Sequence, residues 1–188
     1  MKINWLVLIT ACAFPGAALA QQSAAPQSAT PQATIIGSAE IKADVERTRT
    51  GALADSMLRV VPIESNYNIG VAVVRRSPID GHTQTDALVH EDVTEVYQII
   101  EGNGVLVTGG TLESAKPVSD DQLLHKLGPT SSGERILGGT LTHVGPGDIV
   151  IIPPHMVHGF VEIGSERIVY TIIRIDPKRL LVLNGNTN

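Results

Sequence analysis

The chain has one cysteine and one tryptophan in 188 residues, and both fall near its start, at Cys12 and Trp5. A disulfide within the chain is therefore excluded, and stability has to come from core packing. Positive charge is also scarce. Fourteen Lys and Arg face nineteen Asp and Glu, for a net charge of −5. No basic cluster follows a phosphate backbone, which argues against nucleic acid as a partner. No apolar run reaches the roughly 20 residues that a membrane helix needs, so a transmembrane anchor is not expected. Internal repeats and long runs of like charge are missing as well, which excludes solenoids and coiled coils.

The first twenty residues read as a secretory signal. Lys2 gives the positive start, Trp5 to Ala13 the apolar stretch, and Ala18-Leu19-Ala20 a small-x-small cleavage site. Segment 1–20 is expected to be removed, leaving Gln21 as the mature start and a periplasmic or secreted protein of charge −6. The rival reading takes Ile9-Thr10-Ala11-Cys12 as a loose lipobox with a lipidated Cys12. It is disfavoured because few apolar residues precede the cysteine and an intact cleavage site follows it. Segment 21–36 is mostly Gln, Ser, Ala, Pro and Thr without periodicity, a flexible spacer that cannot bury enough surface to offset chain entropy.

Segment 37–52 is read as a short helix. Ser38 is placed as its N-cap, with Glu40 in the first turn and Gly51 beyond the end, and the helix is expected to pack outside the main domain. From 53 to 184 the texture changes to short β-branched runs punctuated by Gly, Pro, Asp and Asn. Strands are expected near 57–63, 68–76, 86–90, 94–101, 104–108, 135–144, 148–153, 158–163 and 167–175. So many short strands without a long helix indicate an all-β sandwich or jelly roll. Glu101-Gly102-Asn103-Gly104 and Gly145-Pro146-Gly147-Asp148 read as tight hairpin turns. Thr111 to Gly133 is polar and too long for a turn, hence a functional or mobile loop.

Two stretches carry the chemistry. The first runs from Leu88 through His90 and Glu95 to Gly102, and the second from Gly147 through Pro153 to His158. In that order and spacing they resemble the two motifs of the cupin superfamily, with 44 residues between Gly102 and Gly147. The resemblance covers about two thirds of the expected mature chain and implies a small jelly-roll β-barrel. It also implies that His90, Glu95 and His158 hold one divalent metal ion, iron, manganese or zinc. Three departures stand out. Leu88 occupies the place of the first histidine ligand, His155 that of a glycine, and Glu162 that of the final asparagine. Two imidazoles and one carboxylate still form a facial triad with open positions.

Strand alternation supports part of this without the family. Glu95, Tyr97 and Ile99 share one face, so Tyr97 points inward whenever Glu95 does. A hairpin at Glu91–Thr94 would bring His90 and Glu95 onto neighbouring strands, and the stiff Pro153-Pro154 pair would deliver His158. An inward glutamate is costly unless paired, so the alternative for Glu95 is a salt bridge with Arg174. Tyr97 and His155 are the candidate catalytic residues. Tyr97 would donate to a bound oxygen or simply pack in the barrel, and His155 would be a fourth ligand, a proton shuttle or an exposed loop residue. His82 could approach the mouth or lie in solvent, His125 and His143 read as surface or structural residues, and Phe160 and Tyr170 as core. Leu88 would line a pocket for an apolar substrate edge.

The leading expectation is a metal-dependent enzyme of dioxygenase, isomerase or lyase type acting on a small oxygenated organic molecule. A non-catalytic ligand-binding cupin and a metal-free structural cupin are the alternatives. A homodimer is expected from the family, with Asn66–Val74 and Leu180–Leu183 as the pairing edges.

Overall fold

The computed structural model describes residues 32–183, apart from the side chains at 81–86, and the described elements all lie in one compact unit. The expected signal segment and most of the spacer fall outside the described residues. The elements in chain order are α1 (Ser38–Arg47), β1 (Leu53–Ile63), β2 (Tyr67–Arg76), β3 (Ile79–His90), β4 (Thr94–Glu101), β5 (Gly104–Thr108), β6 (Thr111–Glu113), β7 (Lys116–Pro117), α2 (Asp121–Leu127), β8 (Thr130–Gly133), β9 (Arg135–Leu137), β10 (Thr140–Val144), β11 (Ile149–Ile152), β12 (His158–Ile163) and β13 (Ile168–Asp176).

Two antiparallel sheets face each other. One has the order β1-β2-β13-β4-β11 and the other β10-β5-β12-β3-β8-β7, with β6 and β9 forming a separate pair. Inward residues of alternating strands, among them Val74, Ile99, Leu106, Phe160 and Tyr170, interlock as the core between the sheets. The all-β jelly roll expected from the strand pattern is the observed architecture.

The turns differ from expectation. Residues 101–104 and 145–148 do not close hairpins, because β4 and β11 lie in one sheet while β5 and β10 lie in the other. Both are corners where the chain passes between sheets. At the first, Gly102 has φ +77, and an added Cβ would lie 1.9 Å from the Arg167 carbonyl oxygen. Only glycine fits there. The 91–94 turn is likewise a corner, so His90 and Glu95 sit on opposed sheets rather than on hairpin neighbours.

Gly37, not Ser38, is the N-cap of α1. Val45 and Ile41 of this helix pack on Val73, Val169 and Leu58, outside the barrel as expected. Buried Arg75 holds the chain beyond the helix by donating to the carbonyls of Thr48, Thr50 and Gly51. The 111–133 segment is not an open loop. Asp120 caps α2 by accepting from the Leu123 N–H at 2.9 Å, and Gly128 ends it at φ +68. The helix is tied down where the Val182 N–H donates to the His125 carbonyl at 2.9 Å.

The expected pairing edges are also corrected. Asn66–Val74 lies almost wholly in β2, which is hydrogen-bonded on both sides by β1 and β13. Leu180–Leu183 is not a strand. The actual edges of the first sheet are β1 and β11.

Candidate metal centre

Three strands converge at one end of the barrel. His90 ends β3, His158 begins the adjacent β12, and Glu95 faces them from β4 in the opposite sheet. Each offers one ligand atom, and the three atoms lie within 4.8 Å of one another. The Nε2 atoms of His90 and His158 stand 3.5 and 3.4 Å from Glu95 Oε2. All three residues are buried.

The hydrogen bonds on the far side of each ring fix which nitrogen is available. His158 Nδ1 lies 2.9 Å from the Met156 carbonyl, which can only accept, so Nδ1 carries the proton. His90 Nδ1 lies 2.7 Å from the Thr130 hydroxyl, which itself donates to the Gly128 carbonyl at 2.9 Å. Thr130 has no second proton to give, so His90 Nδ1 is the donor here too. In their neutral forms both imidazoles thus turn an Nε2 lone pair toward a carboxylate oxygen. His90 Nε2 is buried without a hydrogen-bond partner among the described residues. Separations of 3.4 and 3.5 Å are long for hydrogen bonds but fit ligand atoms each about 2.1 Å from a shared ion. The donor set could hold a metal ion, and oriented outer partners of this kind are what metal-binding histidines need.

Glu95 is also engaged behind the site. Its Oε1 accepts from Arg174 Nε at 2.8 Å, and its Oε2 accepts from the Tyr97 hydroxyl at 2.7 Å. Arg174, the direct cross-strand partner of Glu95 on β13, passes its remaining nitrogens to Asp55 at 2.6 and 3.2 Å. The salt bridge and the triad were alternatives in the sequence, and here one carboxylate is placed for both. Burial by itself pushes the Glu95 carboxyl up, but the Arg174 guanidinium, joined by the two histidines once they are protonated, outweighs it and holds the group well below the usual carboxylate range. For Tyr97, burial and then the Glu95 charge push the phenol well above its ordinary value, so it stays a donor.

Tyr97 therefore spends its proton on Glu95 rather than on the open cavity. His155 is not brought into the cluster. It is exposed, has φ +63, and meets the site only through its backbone N–H, which donates to the His90 carbonyl at 2.8 Å. The His82 side chain lies outside the described residues. His125 and His143 are exposed, and Phe160 and Tyr170 are core.

A cavity of about 390 Å³ opens beside the cluster. Leu88 lines it, as expected for an apolar side chain in place of a fourth ligand, and Leu88 pairs with His158 across β3 and β12. The 111–133 segment forms part of the wall through Val118, Leu123, Lys126 and Leu127. Asp55, Arg76, Lys126 and Thr130 were missed as site residues. For Arg76 the signal was its alternation with inward Val74 along β2.

A family model described as the AraC-like ligand binding domain matches residues 134–183, the C-terminal part of the barrel, which carries His158 and Arg174. With two opposed sheets and the residues of both motifs meeting at one end, the fold is decided. It is a jelly-roll barrel, the fold that the resemblance to the two cupin motifs implies. No curated protein matches the chain. Among solved structures, a double-stranded β-helix protein of Klebsiella pneumoniae is 20% identical over 78% of this chain and 91% of its own, with a TM-score of 0.47. EutQ of Clostridium difficile is 11% identical over 67% and 69%, with a TM-score of 0.39. Peruvianin-I, a cysteine peptidase from Thevetia peruviana latex, is 14% identical over 58% of this chain, which spans half of its length, with a TM-score of 0.36.

Proposed function

We propose that this protein is an exported metal-dependent cupin enzyme acting on a small oxygenated organic molecule, with one divalent ion held by His90, Glu95 and His158. The observation that carries the reading is the meeting of two Nε2 lone pairs and one carboxylate oxygen in a buried space, with both histidine Nδ1 atoms already committed elsewhere. Lone pairs so placed repel one another unless a cation lies among them. A bound divalent ion supplies Lewis acidity toward an oxygen ligand and lowers the pKa of bound water, and iron(II) adds dioxygen chemistry.

The chain's own residues do the rest. Thr130 and the Met156 carbonyl hold the rings in register, Arg174 and Tyr97 hold Glu95, and Leu88 keeps one side of the site apolar. Export with cleavage after Ala20 and pairing of two copies complete the reading. The pairing is supported by an exposed apolar row on the outer face of the first sheet, where Ile149 and Ile151 of edge strand β11 are 63% and 66% exposed.

Elemental analysis of protein purified from its native compartment tests the ion, with Glu95→Gln and His158→Ala as controls. About one equivalent is expected in the wild type and little in either variant. Less than about a tenth of an equivalent in the wild type rejects the reading. A metal-free ligand-binding cupin is the second reading, favoured by the fact that both Glu95 oxygens already accept hydrogen bonds. Oxygen uptake and product analysis with the iron-loaded protein across diketones, phenols and sugar acids separate turnover from binding.

A further inference from the structure

Four charged side chains meet behind the triad. Arg174 and Lys126 supply two positive charges, Glu95 and Asp55 two negative ones, and the group balances as a whole. The sharing of donors within it is uneven. Arg174 gives both terminal nitrogens to Asp55, Nη2 to Oδ2 at 2.6 Å and Nη1 to Oδ1 at 3.2 Å. Glu95 receives only the Nε, at Oε1 and 2.8 Å. Burial opposes the Arg174 charge, and Asp55, ahead of Glu95, outweighs that burial and raises the guanidinium above its ordinary value.

A guanidinium beside a single carboxylate favours the two-pronged fork, with Nε on one oxygen and a terminal nitrogen on the other. For Glu95 the second oxygen is Oε2, the atom that stands 3.5 and 3.4 Å from the Nε2 atoms of His90 and His158. That oxygen already accepts from the Tyr97 hydroxyl at 2.7 Å. A carboxylate oxygen has two lone pairs, so one more donor at Oε2 would leave none for an ion. Asp55, on edge strand β1 and two strands from Arg174 in the same sheet, stands in the way of that fork.

We infer that Asp55 is a positioning residue for the metal centre: by holding the terminal nitrogens of Arg174, it keeps one lone pair of Glu95 Oε2 free for the ion. Its carboxylate bonds to Arg174 and to no member of the triad among the described residues, so it acts through the guanidinium. The inference rests on the reading proposed above, because it takes His90, Glu95 and His158 as the ligands.

Zinc and manganese affinities of the full protein, measured in competition with a chelator dye, test this. Asp55→Asn is expected to bind both ions roughly 10- to 100-fold more weakly than the wild type, the range for losing a partner that orients a ligand. Its thermal midpoint checks that it is folded. The loss should disappear where Arg174 is absent: in an Arg174→Gln background, Asp55→Asn is expected to change either affinity by less than about threefold. A crystal structure of metal-free Asp55→Asn decides the matter even if the Arg174 variants do not fold, and it is expected to show Arg174 forked over both Glu95 oxygens. Unchanged affinities in Asp55→Asn, a full loss that persists without Arg174, or an Arg174 still bonded to Oε1 alone in that structure would overturn the inference and leave the metal reading standing. A wild-type protein that binds neither ion rejects both.

Discussion

The carboxylate of Glu95 accepts one hydrogen bond at each oxygen, from Arg174 at Oε1 and from Tyr97 at Oε2, so only Oε2 is turned toward the histidines. The ion pair is buried, and removing one partner strands the other's charge. Arg174→Ala is expected to cost about 3–5 kcal/mol, seen as a lower urea midpoint, whereas Tyr97→Phe should cost about 1.5–3 kcal/mol for a lost hydrogen bond to a charged group. Glu95 also gives the stability a pH signature. Its folded-state pKa lies below the ordinary 4.5, so the stability it contributes is fully present above about pH 4.5 and is lost as pH falls toward the folded value. Unfolding titrations should show this acid-side loss in the wild type and a flatter slope below pH 4.5 in Glu95→Gln. Thr130→Val removes the acceptor that orients His90 and should weaken zinc or manganese binding about 10- to 100-fold in competition with a chelator dye. An unchanged affinity would mean that Thr130 plays no part in the site. At this scale the sequence was readable where alternation applies. Glu95, Tyr97 and Arg174 follow from it, because a period of two fixes the inward face once one member is placed. Asp55 did not, since β1 was expected to start at 57, and Thr130 did not, since its contact with His90 depends on a long segment folding back.

The two glycine corners differ although both have positive φ. Gly102 has the Arg167 carbonyl where a Cβ would go, while Gly147, at φ +95, has nothing within 4 Å. Gly147→Ala should therefore cost about 1–2 kcal/mol, the ordinary penalty of left-handed backbone, and Gly102→Ala distinctly more. Equal shifts in thermal midpoint would show that the Arg167 segment yields freely. These corners also mark what a sequence leaves open at the level of elements. Strands β4, β5, β12 and β13 fall within about a residue of expectation, because β-branched runs and turn residues are local signals. Which sheet a strand joins after a Gly-rich turn is not local, so both corners read as hairpins. The helix α2 was legible in principle, with Asp120 before it and Gly128 after it, but its seven residues are too few for a periodic pattern to stand out from a polar, proline-marked stretch.

On the scale of the molecule, the barrel leaves one outer face unshielded. Ile149 and Ile151 on β11, Ile100 on β4 and Ile173 on β13 are all exposed, while α1 covers Val73 and Val169 farther across the same sheet. A second copy seated on that row would form an isologous pair. Analytical ultracentrifugation should find a dimer that Ile151→Lys converts to monomer with little change in thermal midpoint, and a wild-type monomer at tens of micromolar rejects the pairing. The stacking inside the barrel has a different use. Tyr97 and Tyr170 lie 4.9 Å apart, and Phe160 lies 5.6 Å from Tyr170. Were Trp5 removed with the expected signal segment, no indole would remain to mask phenol emission, and two of the three tyrosines sit in this stack beside the triad. The mature protein would carry its own optical reporter. Proton transfer from excited Tyr97 to its acceptor Glu95 would keep it dim, and whatever pulls on Glu95 would be expected to change its brightness.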